Sequence, residues 1–336
     1  MQVRRPTLEA VAARAGVGRG TASRVVNATG NVSQKSRRAV LRAVAELGYV
    51  PNPAARALVR RRTDTLAFVV AVSQERVFWE EPYFSAIVRG VHTGISGTGL
   101  QLLLAIAHSP QEHAQLTNYL TARHVDGVLL SSLRGDDPMP RHLHEAGLPT
   151  VMVGAPTGFH PEYGVDLDNH QGARLAVHHL TSRGRRRIAT ITGPLDTRAG
   201  TDRLEGWRTA LTDTGLRTDL TAHGDFTAAS GAHAMRELLT RAPELDAVFT
   251  ASDSMAIGAL RVLKESGRRI PHDVAVVGFD DSPLATDTDP PLTSIHQPLE
   301  NMGHHMAHLM IAQLRQEPIT QPHITLQPHL VTRHST

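Results

Sequence analysis

The 336-residue chain is long enough for two or three domains, and its complete lack of cysteine excludes disulfides, thiol catalysis and cysteine-ligated zinc. No apolar run approaches the roughly 18 residues of a membrane span, and no signal-like segment opens the chain, so a cytosolic protein is expected. The formal net charge of +3 conceals a split: residues 1–62 carry 13 Lys/Arg against Glu9 and Glu46, a net of +11, which leaves −8 for the remainder. A small basic end on an acidic body is the footprint of a polyanion-binding module attached to something else.

The first predicted element is a helix in "TLEAVAARA". Thr7 stands as its N-cap, and Leu8, Val11, Ala12 and Ala15 fall at the i, i+3, i+4, i+7 spacing of one buried face. The "GVGRG" that follows could be taken for a phosphate-cradling Gly-x-Gly-x-x-Gly loop, but that loop needs a strand before it. With a helix on either side it reads as a turn. The second helix buries Ala22, Val25 and Val26 and leaves Arg19, Thr21, Ser23 and Arg24 pointing outward. A third helix starts at Ser33 as N-cap, buries Val40, Leu41, Val44 and Leu47, and ends at Gly48. Three short helices with a glycine turn between the first two make a helix-turn-helix unit, assigned to residues 1–50.

Residues 51–62 open on Asn52 as N-cap and Pro53 at the first helical position, then give barely two turns before a run of arginines. A helix this short is unstable alone in water, so it is expected to fold only against DNA or a second copy of the chain.

Past residue 63 strands and helices alternate. Buried parallel strands are predicted at 66–72, 100–106, 127–132 and 149–154, with helices near 83–98, 110–123 and 140–146 between them. A second set of strands follows at 163–168, 187–193, 223–226, 246–252 and 274–280. Then come a proline-bounded strand, a long helix within 290–316, and one or two edge strands within 324–335. The pattern is βαβα twice over, hence two doubly wound α/β lobes behind the small all-α domain. "HVDGVLLSS" and "ELDAVFTAS" occupy equivalent places in the two sets and echo each other. The amino-terminal lobe is assigned 63–163 plus 296–322, and the carboxyl-terminal lobe 164–295 plus 323–336.

Taken together, "TLEAVAARAGVGRGTASRVVN", "VSQKSRRAVLRAVAELGYVPNPAARAL", "DRLEGW", "ASDSMAIGALRVL", "DVAVVGFDD" and "PPLTSIHQP" resemble the LacI/GalR family of bacterial transcriptional regulators, in order and over essentially the whole chain. The "RRPTLE" start and "EEPYFSAIVRGV" are most similar to the cello-oligosaccharide (cellobiose) repressors of actinomycetes. The resemblance implies a repressor of carbohydrate-utilisation genes, bound as a homodimer to palindromic operator DNA in the nucleoid, with periplasmic-binding-protein-like lobes that hold a sugar effector. It implies no metal and no cofactor.

In a helix-turn-helix the N-terminal residues of the second helix meet base edges. Arg19 sits there and can fork guanine O6/N7, with Arg24 one turn on as a second contact. Gly20 stands where many relatives carry a long polar side chain, which puts more of the base reading on Arg19. Thr21, Ser23, Asn27 and Ser33 suit phosphate oxygens. Thr7 and Tyr49 complete the candidate DNA contacts of this unit. The segment from Pro53 matches the family's minor-groove hinge helix, with Asn52, Ala55 and Arg56 facing the groove and Leu58 as the wedge between central base pairs. For the effector, Arg203 and Asp280 match the polar forks that grip sugar hydroxyls, Phe84 and Phe226 align with ring-packing positions, and Ser252 falls where relatives often have asparagine. Asp168, Ser131, Phe78 and Trp79 are further candidates that core packing or a surface loop explains equally well.

Competing functions lack their motifs. His304 and His308 have the i, i+4 spacing of zinc ligands, but His-Glu-x-x-His and a third ligand are missing. There is no Gly-x-Ser-x-Gly elbow and no P-loop, so an enzyme is not expected. A transport binding protein has no use for a basic helix-turn-helix, and an architectural DNA-binding protein has no use for lobes. A different sugar, a non-sugar ligand, or activation in place of repression remain compatible with the sequence.

Overall fold

A computed structural model describes residues 6–27, 29–50, 62–71, 82–107, 109–131, 135, 137–154 and 159–336. Asn52, Ala55, Arg56 and Leu58 of the expected hinge helix lie outside the described residues, as do Phe78 and Trp79. The chain divides into two compact units, 1–64 and 65–336.

In the first unit, α1 (Leu8–Ala15), α2 (Arg19–Val26) and α3 (Gln34–Leu47) form the expected three-helix arrangement. Thr7 and Ser33 accept from the backbone N–H of Ala10 and Ser36, each satisfying one of the orphan donors at a helix start. Gly16 and Gly48 end α1 and α3 at φ +64° and +58°, a left-handed conformation that glycine adopts without cost. The small core is Val11, Ala12, Ala22, Val25, Val40 and Ala43, with Leu8, Ala15, Val26, Val44, Leu47 and Tyr49 packed around it. Leu41, expected in that core, is 54% exposed. Val40, Ala43, Val44 and Leu47 already complete the inward stripe, and Leu41 sits about 100° round the helix from Val40.

The second unit holds two six-stranded sheets. The first contains β1 (Thr65–Ala71), β2 (Gln101–Ala107), β3 (Gly127–Ser131), β4 (Thr150–Val153), β5 (Gly164–Leu167) and β11 (His323–Leu326), in the order β11-β5-β4-β3-β1-β2. The other contains β6 (Ile188–Thr192), β7 (Thr221–His223), β8 (Ala247–Thr250), β9 (Ala275–Asp280), β10 (Thr293–His296) and β12 (His329–Val331), in the order β12-β10-β9-β8-β6-β7. The two orders are the same pattern, 2-1-3-4-5 with a chain-terminal strand added at the edge, which is the doubly wound arrangement with its switch point beside the first strand. The echoing segments lie on β3 and β8, the third strand of each set. Every ladder is parallel except β10–β12.

Sheet membership corrects the lobe boundary. Gly164 pairs with Met152 and with His323, so 164–167 and 323–326 belong to the first sheet and not to the carboxyl-terminal lobe. An apolar strand reads alike in either sheet, and only its ladder partners decide. The chain therefore crosses between lobes after Leu167, again after His296, and a third time between Leu326 and His329. The strand expected at 223–226 lies earlier, at Thr221–His223, sharing only His223 with the expectation, and Phe226 follows in a loop at φ +71°.

Helices α4 (Pro82–Ile95), α5 (Pro110–Tyr119), α6 (Met139–Glu145) and α12 (Leu299–Arg315) cover the first sheet. Helices α7 (Asn169–Ser182), α8 (Arg198–Asp213), α9 (Ala228–Arg241) and α10 (Asp253–Glu265) cover the second, with a short α11 (Leu284–Asp287) after β9. Helices α4 and α12 touch backbone to backbone: a Cβ on Gly90 would collide with the carbonyl of Glu300, and one on Gly303 with the carbonyl of Ile87. Backbone-to-backbone approach here locks the returning α12 onto the lobe where the second unit began.

Candidate functional site

The centre of the second unit is a buried polar cluster at the carboxyl ends of β8, β9 and β10 and the start of α7. Arg203, on the inner face of α8, is 4% exposed. Its Nε donates to Asn169 Oδ1 at 2.8 Å, Nη1 to the carbonyl of Ala251 at 2.6 Å, and Nη2 to Gln297 Oε1 at 3.3 Å. Nη1 also lies 3.6 Å from Asp280 Oδ1, and Gln297 Nε2 donates to that same oxygen at 3.3 Å. The guanidinium carbon stands 3.6 Å over the ring of Phe279, a cation–π contact. Burial pulls the Arg203 pKa down, Asp280 and Tyr83 push it back up, and the group stays a cation.

Around this core stand three further titratable groups. Tyr83, from α4, is pushed above the usual phenol range by burial and by the carboxylates of Asp166 and Asp280, while Ser131 hydrogen-bonds it. It is therefore a neutral donor from the amino-terminal lobe facing the carboxyl-terminal one. Burial likewise raises Asp166. Asp253, 1% exposed, is pushed up to about 8 by burial and by Asp280, against hydrogen bonds from Ser294 Oγ at 2.6 Å and Ser282 N at 2.8 Å. Those two bonds tie down a turn in which Asp280 and Asp281 sit at φ +105° and +53°, conformations that non-glycine residues adopt only when held. A cavity of about 440 Å³ adjoins the cluster, lined by Asp166, Asp168, Asn169, Arg198 and Asp202 among others. That volume lies in the range of small-molecule sites.

The structure brings Arg203 and Asp280 together and reaches Ser131 through Tyr83. Asp168 caps α7 by accepting from Gln171 N and lines the cavity. Ser252 caps α10 by accepting from Met255 N. Phe84 is 4% exposed within the apolar core of the first lobe, edge-on to Tyr83 with ring centroids 5.2 Å apart. Phe226 packs over Gly193, where any Cβ would strike its ring. Sequence reasoning passed over Tyr83, Asn169, Gln297, Phe279 and Asp253. Gln297 lay within the quoted "IHQP" and Tyr83 beside Phe84, so both were within reach.

In the first unit Arg19, Arg24 and Ser33 are exposed and Thr21, Ser23 and Tyr49 half-buried. Arg24 Nε folds back on the carbonyl of Gly20 at 3.2 Å, and Asn27 Nδ2 donates to Ser23 Oγ at 3.2 Å. Arg19 Nε meets Glu9 Oε1 of α1 at 3.0 Å. His304 and His308 approach with ring centroids 4.2 Å apart, but no group of three or more metal-ligating side chains occurs among the described residues. No helix among them is long and apolar enough to cross a membrane.

Residues 7–52 match the model for bacterial regulatory proteins of the lacI family, and residues 177–336 match a periplasmic binding protein-like domain. The chain is 53% identical over 336 residues to the HTH-type transcriptional regulator CelR of Thermobifida fusca, covering 99% of this chain and 98% of that protein. It belongs to the LacI family. As such it is a DNA-binding transcriptional regulator and not an enzyme. The ribose operon repressor of Escherichia coli strain K12 is 34% identical over 335 residues, covering 98% of this chain and 99% of that one. Among solved structures, a CelR–cellobiose complex superimposes with TM-score 0.79 at 51% identity, covering 99% of this chain and all of that one. A lac repressor dimer bound to operator and an anti-inducer gives TM-score 0.85 at 28% identity, covering 99% of each.

Proposed function

We propose that this LacI-family protein represses carbohydrate-utilisation genes as a homodimer on a palindromic operator, and that cellobiose or a short cello-oligosaccharide releases it. A repressor of this kind works in the cytoplasm, associated with the nucleoid. Arg19 and Arg24 read and hold the major groove, Thr21, Ser23, Asn27 and Ser33 set the register on phosphates, Thr7 and Tyr49 are further DNA contacts, and Asn52, Ala55, Arg56 and Leu58 engage the minor groove at the operator centre. The sugar sits between the lobes, where Arg203 and Asp280 supply a cation and a carboxylate for neighbouring hydroxyls and Tyr83 reaches in from the other lobe. Ser131, Asp168, Phe84, Phe226 and Ser252 shape the surrounding wall.

The observation that carries the choice of sugar is the 51% identity to a regulator solved with cellobiose, and the buried Arg203–Asp280 pair supports it, since a cation beside a carboxylate suits neighbouring hydroxyls. Coupling follows from the three crossings: a ligand gripping both lobes favours one lobe arrangement, and an effector shifts DNA affinity only by its differential affinity for the two arrangements.

The test is fluorescence anisotropy of a labelled palindromic duplex with a central C-G step, titrated with protein at stated salt. Release by cellobiose, and not by glucose or lactose, is expected. Tight binding that ignores all three sugars removes the effector assignment. Tighter binding with cellobiose makes it a co-repressor.

A further inference from the structure

Asp280, which with Arg203 is assigned to the sugar, ends β9 at φ +105°, and Asp281 follows it at φ +53°. Side chains at such angles crowd their own backbone, so the turn keeps its shape only while neighbours hold it. A carboxylate carried on this turn is placed no better than the turn itself.

The restraint comes from two other elements. The N–H of Asp281, in the peptide plane directly after Asp280, donates to Ser294 Oγ at 3.1 Å. The next peptide N–H, that of Ser282, donates to Asp253 Oδ2 at 2.8 Å. Ser294 Oγ in turn donates to Asp253 Oδ1 at 2.6 Å, which closes the network. Ser294 is the second residue of β10 and Asp253 the first of α10, so regular structure fixes both. The Asp281 side chain is tethered separately, by Arg333 Nη2 at 2.6 Å and His296 Nδ1 at 2.9 Å, whereas Ser294 and Asp253 hold the two peptide planes.

Both carboxyl oxygens of Asp253 are engaged inside this network, so the group serves the turn. A carboxyl group is costly to bury, and apolar residues of the same volume would pack there more favourably. Yet Asp253 and Ser294 are 1% and 0% exposed, and β9 leaves room for the carboxyl group, since a Cβ on Gly278 would strike Asp253 Oδ1. Packing alone does not account for the pair.

We propose that Asp253 and Ser294 are positioning residues for the effector: they fix the two peptide planes after Asp280 and so hold its carboxylate where the sugar meets it. This rests on the reading of Asp280 as a sugar contact. Asp253 and Ser294 act through Asp280 and need not touch the ligand.

The test is a double-mutant cycle on the full-length protein, with cellobiose affinity read by titration calorimetry and sugar-free operator affinity by fluorescence anisotropy. S294A removes the acceptor for Asp281 N and is expected to weaken cellobiose binding at least about fivefold, with operator affinity within about twofold of wild type. D253A is expected to do the same, and either variant suffices if the other does not fold. D253N mimics the neutral carboxyl group that burial favours and is expected to bind cellobiose within about twofold of wild type. In a D280A background the carboxylate to be positioned is gone, so adding S294A or D253A is expected to change the affinity by less than about twofold. Full additive losses in that background, wild-type cellobiose affinity in S294A or D253A, or a D253N as weak as D253A overturns the proposal. If D280A itself leaves cellobiose affinity unchanged, the underlying reading of Asp280 fails, whatever Asp253 and Ser294 do.

Discussion

Asp253 carries the most informative titration in the molecule. Its folded carboxyl holds a proton up to about pH 8, whereas an unfolded one releases it near pH 4. Between those values the native state binds more protons than the unfolded chain, so the contribution of this group to stability is full below pH 4 and is lost as pH rises through 8. D253N stays neutral throughout, and its amide can still accept from Ser282 N and donate to Ser294 Oγ. Wild type is therefore expected to lose melting temperature relative to D253N as pH goes from 5 to 8, read as the difference between two Tm–pH curves. Parallel curves contradict the assignment. Arg203 makes a complementary case. R203K keeps the charge but loses the planar fork that serves Asn169, Ala251 and Gln297 at once. If one charge-assisted hydrogen bond to a sugar hydroxyl is lost with the fork, at about 1.5–3 kcal/mol, at least a tenfold loss of cellobiose affinity is expected by titration calorimetry, with operator affinity in the absence of sugar unchanged. Arg203 and Asp280 were legible in the sequence because the short motifs "DRLEGW" and "GFDD" announce them. Gln297 and Asn169 were not, because each reaches Arg203 only through the packing of elements that bring together residues 94 and 34 positions apart.

At the scale of elements, the helices were legible from caps and periodicity. Thr7 and Ser33 each accept from the backbone N–H three residues on, and the glycines after α1 and α3 stop them where the sequence predicts. S33A removes the acceptor for Ser36 N and is expected to cost the first unit about 1 kcal/mol, seen as a lower midpoint of its denaturant unfolding. What periodicity does not carry is which sheet a short apolar strand joins. β5 followed a βαβα pattern into the wrong lobe because its alternation is the same on either side, and its ladders with β4 and β11 alone place it in the first sheet. Nor does periodicity reveal that α4 and α12, more than 200 residues apart, touch backbone to backbone at Gly90 and Gly303. G303A must push α12 off the carbonyl of Ile87, and overpacking of this kind costs about 1–3 kcal/mol. A drop in the melting temperature of the 65–336 unit is expected, with no change in the first unit. An unshifted transition means that the two helices have room to separate.

At the scale of the whole molecule, the chain passes three times between two sheets of like topology, so neither lobe is a continuous piece of sequence. That arrangement suits a coupled binder, because any ligand held by both lobes acts on all three crossings together. Coupling is reciprocal: if each bound cellobiose weakens the operator complex by a factor, bound operator weakens each cellobiose site by the same factor. Typical couplings are about 1–3 kcal/mol, or about 5- to 150-fold per site, and in a homodimer the two sites multiply in their effect on DNA. Cellobiose titrated into the protein alone and into its saturated operator complex is therefore expected to show dissociation constants differing by at least about fivefold. The square of that ratio is expected to match the loss of operator affinity at saturating sugar. Equal cellobiose affinity with and without operator means that the sugar occupies the lobes without biasing them, and that the regulatory ligand is a different molecule.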